Sequence, residues 1–289
     1  MRGMTEKSTV RTREMAFELR GQRELKRMTL RELARRADWS ASKVSAWENG
    51  RRISPVDAAI YLAHCGTGAA ERARLLELAK PPGDLYWVRP YFDRLADPMK
   101  SLVVQENLAS SIVYYSPAAI PGMLQTEDYV HTCFELTGRY TADRLGVLTR
   151  ARVDRQQLLQ RQAPPDCTFF VHERALRSVV GGPALMHEQL QNLVLATNLP
   201  HCVIRVVPDS DPTFRMLSTT FTVMEFLEHP PVVYEETYTA GLFVDDRIAV
   251  EAFYLLVTRL DQAALPERQS REWLVRFADE YERLDALER

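Results

Sequence analysis

Cysteine is scarce in this chain. Cys65, Cys133, Cys167 and Cys202 are the four it has in 289 residues, and no two of them form a C-x-x-C pair. That spacing suggests neither a zinc ligand set nor a disulfide framework and leaves buried free thiols as the reading. Long hydrophobic runs are missing as well. No stretch reaches the ~18 uninterrupted apolar residues of a bilayer span, and residues 1–10 lack the apolar segment of a signal peptide. The expected location is therefore the cytoplasm, with no membrane partner. Catalytic signatures are equally thin. Gly181-Gly182 lacks the spacing and the Lys of a phosphate cradle, and no G-x-S-x-G is present. His187-Glu188 is followed by Gln191, and His172-Glu173 by Leu176, where an H-E-x-x-H helix needs its second metal ligand. His64, His131, His201 and His229 are isolated and read as packed or solvated. No catalytic, cofactor or metal site is expected, and the chain does not read as an enzyme.

What is present is an ordinary globular composition, 46% hydrophobic and 26% charged, enough for one or two cores. The net charge of -2 hides an asymmetry. Residues 1–52 hold 14 Lys/Arg against 7 Asp/Glu, whereas the remainder holds 23 against 32. A basic end on an acidic body suits a module that meets phosphate while the rest avoids it; a solvated basic helix with no partner is the plainer alternative.

The basic end reads as short helices. Glu14 to Lys26 forms one, with Met15, Leu19 and Phe17 inward. Thr29 opens a second, and Glu32 three residues on makes a capping box. Leu30, Leu33, Ala34 and Ala37 line its inner side. Asp38-Trp39 make a turn, Ser40 caps a third helix that stops at Asn49-Gly50, Ser54-Pro55 starts a fourth, and Ala69 to Ala79 forms a fifth. Residues 1–80 are thus a compact all-α unit. Pro81-Pro82-Gly83 break it, and 81–98 read as an irregular connection whose aromatics Tyr86, Trp87, Tyr91 and Phe92 pack on a neighbour. Met99 to Val113 looks helical, followed by helices from about Thr126 and over Ala142 to Gln162. β-branched and aromatic runs at 167–172, 202–207, 219–226 and 232–236 read as strands, between helices at 184–197 and 246–262. Residues 99–289 are therefore an α+β domain. Its last helix carries an apolar stripe of Leu274, Phe277, Tyr281 and Leu284, suited to packing within the chain or on a second subunit.

The second helix, the Asp38-Trp39 turn and the third helix form a helix-turn-helix. In that geometry the exposed early positions of the third helix face base edges in the major groove while Val44 and Trp47 hold it to the core. Ser42, Lys43 and Ser45 are the base-facing candidates. Ser40 and Thr29 stand at helix starts, where backbone N–H groups can meet phosphate, and Arg31, Arg51 and Arg52 are further phosphate candidates. The partner is double-stranded DNA, read by a homodimer.

The residues Met28-Thr29 through Arg35-Arg36, Ser42-Lys43-Val44-Ser45, Trp47-Glu48 and Gly50-Arg51-Arg52 resemble the Xre-type, lambda-repressor-like helix-turn-helix. That family usually places Gln directly after the capping Thr; here the position is Leu30, so no operator sequence carries over. Tyr115, Pro121 through Tyr129, Arg155-Gln156, Gly181-Gly182-Pro183 and Tyr234-Glu235 to Gly241-Leu242 resemble the C-terminal domain of unknown function found on many actinobacterial regulators. That resemblance implies an antitoxin-like regulator controlled by a small protein encoded beside it; it brings no ligand residues. Gly122 and Thr126 read as a turn residue and an N-cap. The alternative is a one-component regulator whose C-terminal domain senses a small-molecule effector, with the aromatic segment or a strand face as pocket wall.

Overall fold

The structure, a computed structural model, describes residues 8–80, 86–90, 96–212, 214, 217, 219–237 and 239–289. Four of its first five helices start where hydroxyl side chains can take the unpaired N–H groups of a first turn. Thr9 caps α1 (Val10–Leu25) in a reciprocal box with Thr12, whose hydroxyl accepts from the Thr9 N–H at 2.8 Å. Thr29, Ser40 and Ser54 cap α2 (Leu30–Arg36), α3 (Ala41–Glu48) and α4 (Pro55–His64), and α5 (Ala69–Ala79) follows Gly68. The box expected at Thr29 is half made. The Thr29 oxygen accepts from Glu32 N–H at 3.2 Å, but the Glu32 carboxylate turns along the helix to Arg36.

Leu19, Leu33, Val44, Ala58, Tyr61, Leu62 and Leu75 are fully buried and close the core of these helices, with Met15 beside them. Phe17 is not among them. At 100° per residue it lies nearly opposite Leu19, and it is 51% exposed.

Beyond the head come β1 (Tyr86–Pro90), α6 (Ala96–Leu108), β2 (Ser111–Ser116), α7 (Glu127–Leu136), α8 (Ala142–Gln156), β3 (Asp166–His172), α9 (Glu173–Arg177) and α10 (Pro183–Ala196). Then follow β4 (Cys202–Val207), β5 (Phe221–Glu225), β6 (Val232–Glu236), β7 (Ala240–Val244), α11 (Arg247–Ala263) and α12 (Glu267–Glu288). The protein is multidomain, an all-α head followed by mixed α and β structure, as the sequence predicts. The helix expected over Met99 to Val113 is shorter than that: α6 ends at Leu108, and Ile112-Val113-Tyr114-Tyr115, β-branched and aromatic, form a strand. β1 and β7 were not expected either.

By contacts the chain divides into two compact units, the first running to Leu108 and taking in Glu225–Val250, the second Ala109–Met224 with Glu251–Arg289. In the first, β7 pairs antiparallel with both β1 and β6, and a polar seam joins α1 to α6. Arg13 Nε donates to Gln105 Oε1 at 2.7 Å, Ser101 Oγ to the Glu14 carboxylate at 2.6 Å, and Lys100 pairs with Glu18 at 2.7 Å. Of the aromatic connection, Trp87 packs against the head core and lies 5.9 Å from Phe243, ring to ring; Tyr91 and Phe92 lie outside the described residues.

In the second unit the strand order is β5-β2-β3-β4. β2 runs parallel to β3 from Ser111↔Asp166 to Ser116↔Val171, and β3 parallel to β4. Parallel neighbours need crossovers, supplied by α7 and α8 and then by α9 and α10. The Pro121-to-Tyr129 string is locked in place by amides. Gln156 Nε2 donates to Gly122 O and Gln125 O at 3.0 and 2.8 Å, and Gln189 and Asn192 both donate to Leu124 O. Thr126 caps α7 as expected. Gly181 and Gly182 take φ of +68° and +102° ahead of α10, a backbone that L side chains rarely adopt. α12 packs within the chain, on α10 and β4. Its buried stripe of Leu274, Phe277 and Tyr281 stops there, for Leu284 is 41% exposed.

Candidate nucleic-acid interface

α2 ends in a tight reversal. Ala37 N–H donates to Leu33 O, Trp39 N–H reaches back to Ala34 O at 2.8 Å, and Asp38 between them takes φ +56°. The chain then enters α3. Val44 is fully buried, Trp47 is 5% exposed, and the Trp39 and Trp47 rings meet edge to face with centroids 4.9 Å apart. This pins the inner face of α3 and leaves Ser40, Ser42 and Lys43 exposed and Ser45 half-buried.

The far end of α3 is anchored by charge. Glu48 is 5% exposed, and both its oxygens accept from Arg23, from Nε and Nη2, at 2.7 Å each. The Tyr61 hydroxyl donates to the same carboxylate at 2.6 Å, and Arg23 Nη1 also donates to Met28 O. Burial alone would push the Glu48 carboxyl up. The hydrogen bonds from Arg23 and Tyr61 and the charges of Arg23 and Arg20 outweigh it, so it sits below its ordinary range. Burial and the Glu48 carboxylate hold the Tyr61 phenol well above its own. A bidentate, three-donor site of this kind fixes the exit of α3 in both position and rotation.

The sequence-predicted DNA residues fall into three places. Ser40, Ser42, Lys43 and Ser45 share α3; the Ser40 oxygen caps the helix by accepting from Lys43 N–H, and it lies 3.1 Å from Ser42 Oγ. Ser45 Oγ accepts from the Asn49 amide. Arg51 and Arg52 follow α3 and are exposed; the Arg51 N–H closes the helix on Ala46 O. They line a cavity of about 170 Å³ with Arg11, Lys80 and an apolar floor of Met15, Ile53 and Leu78. Thr29 and Arg31 stand exposed at the start of α2. Gly50, which ends α3, has φ +89°, and a Cβ there would stand 2.8 Å from Ser8 Oγ.

Lys43 is more constrained than its sequence position shows. Its ammonium lies 4.7 Å from the Trp47 ring centroid and 5.2 Å from that of Trp39, and 3.3 Å from Asp57 Oδ1. Asp57 was missed by sequence reasoning. Ser54 and Asp57, three residues apart at the start of α4, are legible as a helix cap, and they do bond so: Ser54 Oγ donates to Asp57 Oδ2 at 3.0 Å. Nothing local signals that the carboxylate also meets a lysine one helix earlier. Arg23 and Glu48 were likewise not singled out as partners.

Elsewhere His187 and His201 are engaged by neighbouring groups of the chain. His187 Nδ1 lies 2.8 Å from Ala278 O and its Nε2 2.8 Å from the Gln191 amide, and His201 Nε2 lies 2.8 Å from Leu159 O. Among the described residues no group of three or more His, Cys, Asp or Glu could hold a metal ion. No helix described is long and apolar enough to cross a membrane. The four cysteines are free; burial pushes the Cys65 thiol up to about 11.

The fold and this surface define a helix-turn-helix protein, and residues 14–75 match the family described as a helix-turn-helix domain. Residues 99–276 match the domain of unknown function DUF5753, and the chain belongs to that family. No curated protein matches it. Among solved structures, an archaeal chromatin protein, TrmBL2, described as showing a novel mode of DNA binding, is similar at 12% identity and a TM-score of 0.31. The alignment covers 82% of this chain and 87% of that one, and at that TM-score it carries no argument about fold or function.

Proposed function

We propose that this chain is a sequence-specific DNA-binding transcriptional regulator of the Xre, lambda-repressor-like type, working as a homodimer in the cytoplasm and without enzymatic activity. The observation that carries the reading is α3 itself. Its core-facing residues are pinned by Trp39 and the Arg23–Glu48–Tyr61 site, while its first turn presents Ser40, Ser42 and Lys43 to solvent. A helix held this way can enter a major groove without losing its register. In this reading Thr29, Arg31, Arg51 and Arg52 supply phosphate contacts.

Control falls to the C-terminal domain through a small protein partner, in the antitoxin-like manner that the family resemblance implies. A small-molecule effector is the alternative; the described cavity between α10, β4 and α12 is about 150 Å³, short of the roughly 300 Å³ at which drug-sized pockets begin. The test is capture of sheared genomic DNA by the full-length protein at moderate salt, followed by sequencing. One recovered inverted repeat supports the regulator; uniform recovery, or none, overturns it. Co-purification of a small neighbouring gene product supports the protein-partner arm, whereas thermal stabilisation by a metabolite would replace it with a sensor.

A further inference from the structure

We propose that Lys43 and Asp57 act together as one reading unit for a single G·C base pair, Lys43 on the guanine and Asp57 on the cytosine. The inference rests on the DNA-binding reading above and adds a residue, on a different helix, that sequence reasoning did not place at the groove.

The geometry is that of a fixed donor beside a fixed acceptor. Lys43 Nζ is held over two indole faces and 3.3 Å from Asp57 Oδ1, and the Asp57 carboxylate is itself held through Oδ2 by Ser54 Oγ. Both side chains remain open to solvent, 43% and 27% exposed. An ammonium has three N–H donors, so the one given to Asp57 leaves two. A carboxylate has about four acceptor sites, and only two are taken here, by Lys43 and by Ser54.

The major-groove edge of a G·C pair presents the complement in order: acceptor N7, acceptor O6, then the donor N4–H of cytosine. Guanine O6 and cytosine N4 are hydrogen-bonded to each other in the pair, so they stand about 2.9 Å apart. The 3.3 Å between Lys43 Nζ and Asp57 Oδ1 spans that separation. Two lysine donors on N7 and O6 and one aspartate acceptor on N4–H then match at three points. An A·T pair puts its donor in the middle, between acceptors N7 and O4; it takes one lysine and one aspartate bond and strands the second lysine donor. A reversed C·G pair inverts the order. Phosphate, which offers acceptors only, meets the Asp57 charge as repulsion.

The test uses the full-length protein and the operator recovered from genomic DNA, with every single base-pair substitution assayed against wild type, Asp57→Ala and Asp57→Asn. Wild type is expected to lose about 5- to 150-fold on replacing one G·C pair, the discrimination of a good bidentate contact. Asp57→Ala should shrink that loss by about threefold or more at that position, leaving the residual guanine preference that Lys43 supplies alone, and leave the others unchanged. Asp57→Asn, which keeps an acceptor oxygen without the charge, should retain the preference. Two results overturn the inference alone: position-by-position preferences in Asp57→Ala identical to wild type, or equal tightening of both variants on all sequences, which would make Asp57 only a repeller of phosphate. A wild-type protein that prefers no sequence would instead remove the DNA-reading proposal itself.

Discussion

Replacing Lys43 by Ala takes a donor from the exposed first turn of α3, the turn proposed to face the groove, while sparing the residues that hold α3 in place, because Val44, Trp47 and Glu48 keep their own partners. The expected result is relaxed sequence preference, with the ratio of specific to random affinity falling by the roughly 5- to 150-fold of one base contact. Arg51→Ala should act differently. It should weaken binding to all sequences and reduce the slope of log K against log salt by about 1, since a lost phosphate contact releases one fewer counterion. Affinities measured across a salt series on operator and scrambled DNA separate the two; parallel losses for both variants would place the recognition helix elsewhere. Glu48 lies below this surface and bears on stability. Glu48→Gln leaves the Arg23 charge buried without its carboxylate, a change expected to cost about 3–5 kcal/mol. The pH dependence follows from the same site. Because the folded Glu48 lies below its ordinary range, its contribution is present above the unfolded carboxylate pKa near 4.3 and is lost as pH falls through the folded value. Tyr61 and Cys65 are raised, so the folded head keeps protons that the unfolded chain releases, and stability declines above about pH 9. Denaturant titrations followed by Trp fluorescence should show a plateau between these limbs, with the acid limb shallower in Glu48→Gln.

The element that joins α2 to α3 invites the next prediction. Asp38 occupies the left-handed region at φ +56°, which costs a non-glycine residue on the order of 1 kcal/mol. Asp38→Gly relieves that strain but adds freedom to the unfolded chain, so it should stabilise the protein by less than about 1 kcal/mol without moving α3, as read by the denaturation midpoint at an unchanged slope. A destabilised variant would mean that the aspartate side chain holds the turn. At this scale the head was legible in the sequence. Hydroxyl caps at Thr29, Ser40 and Ser54, Pro at the start of α4 and Asn49-Gly50 at the end of α3 act through neighbours within four residues, so a one-dimensional pattern contains them. What escaped depends on distance along the chain. Ile112 to Tyr115 is a strand because β3, more than fifty residues later, lies alongside it; the run alone fits the end of an apolar helix equally well. β7 lies between β1 and β6, and its Ala240-Gly241 gives little strand signal by itself. Of the candidate site, the α3 residues were visible as an exposed set, while Asp57 and the Arg23–Glu48 pair were not, because their partners lie 14 and 25 residues away.

At the scale of the whole molecule the argument concerns area and charge. A single reading head of this size covers about 600–1,000 Å² of protein surface on DNA, the range of one zinc finger or homeodomain. The operator affinity of the proposed regulator requires more, and in the proposed homodimer two heads related by a two-fold axis would supply it, with half-sites one helical turn apart, about 34 Å, or a multiple of that. The charge distribution favours this arrangement over continuous coating of DNA. The surplus of 7 positive charges lies in residues 1–52 and the surplus of 9 negative ones in the rest, so additional copies bring acidic surface toward phosphate wherever a head is not in its groove. The full-length protein is therefore expected to sediment as a dimer at the concentrations where it binds, to protect two half-sites in footprinting, and to lose affinity steeply when the spacing between them is changed by half a turn. A monomer that still binds an isolated half-site at nanomolar concentration would sink the dimer, and it would require the missing contact area to come from a segment other than the helix-turn-helix.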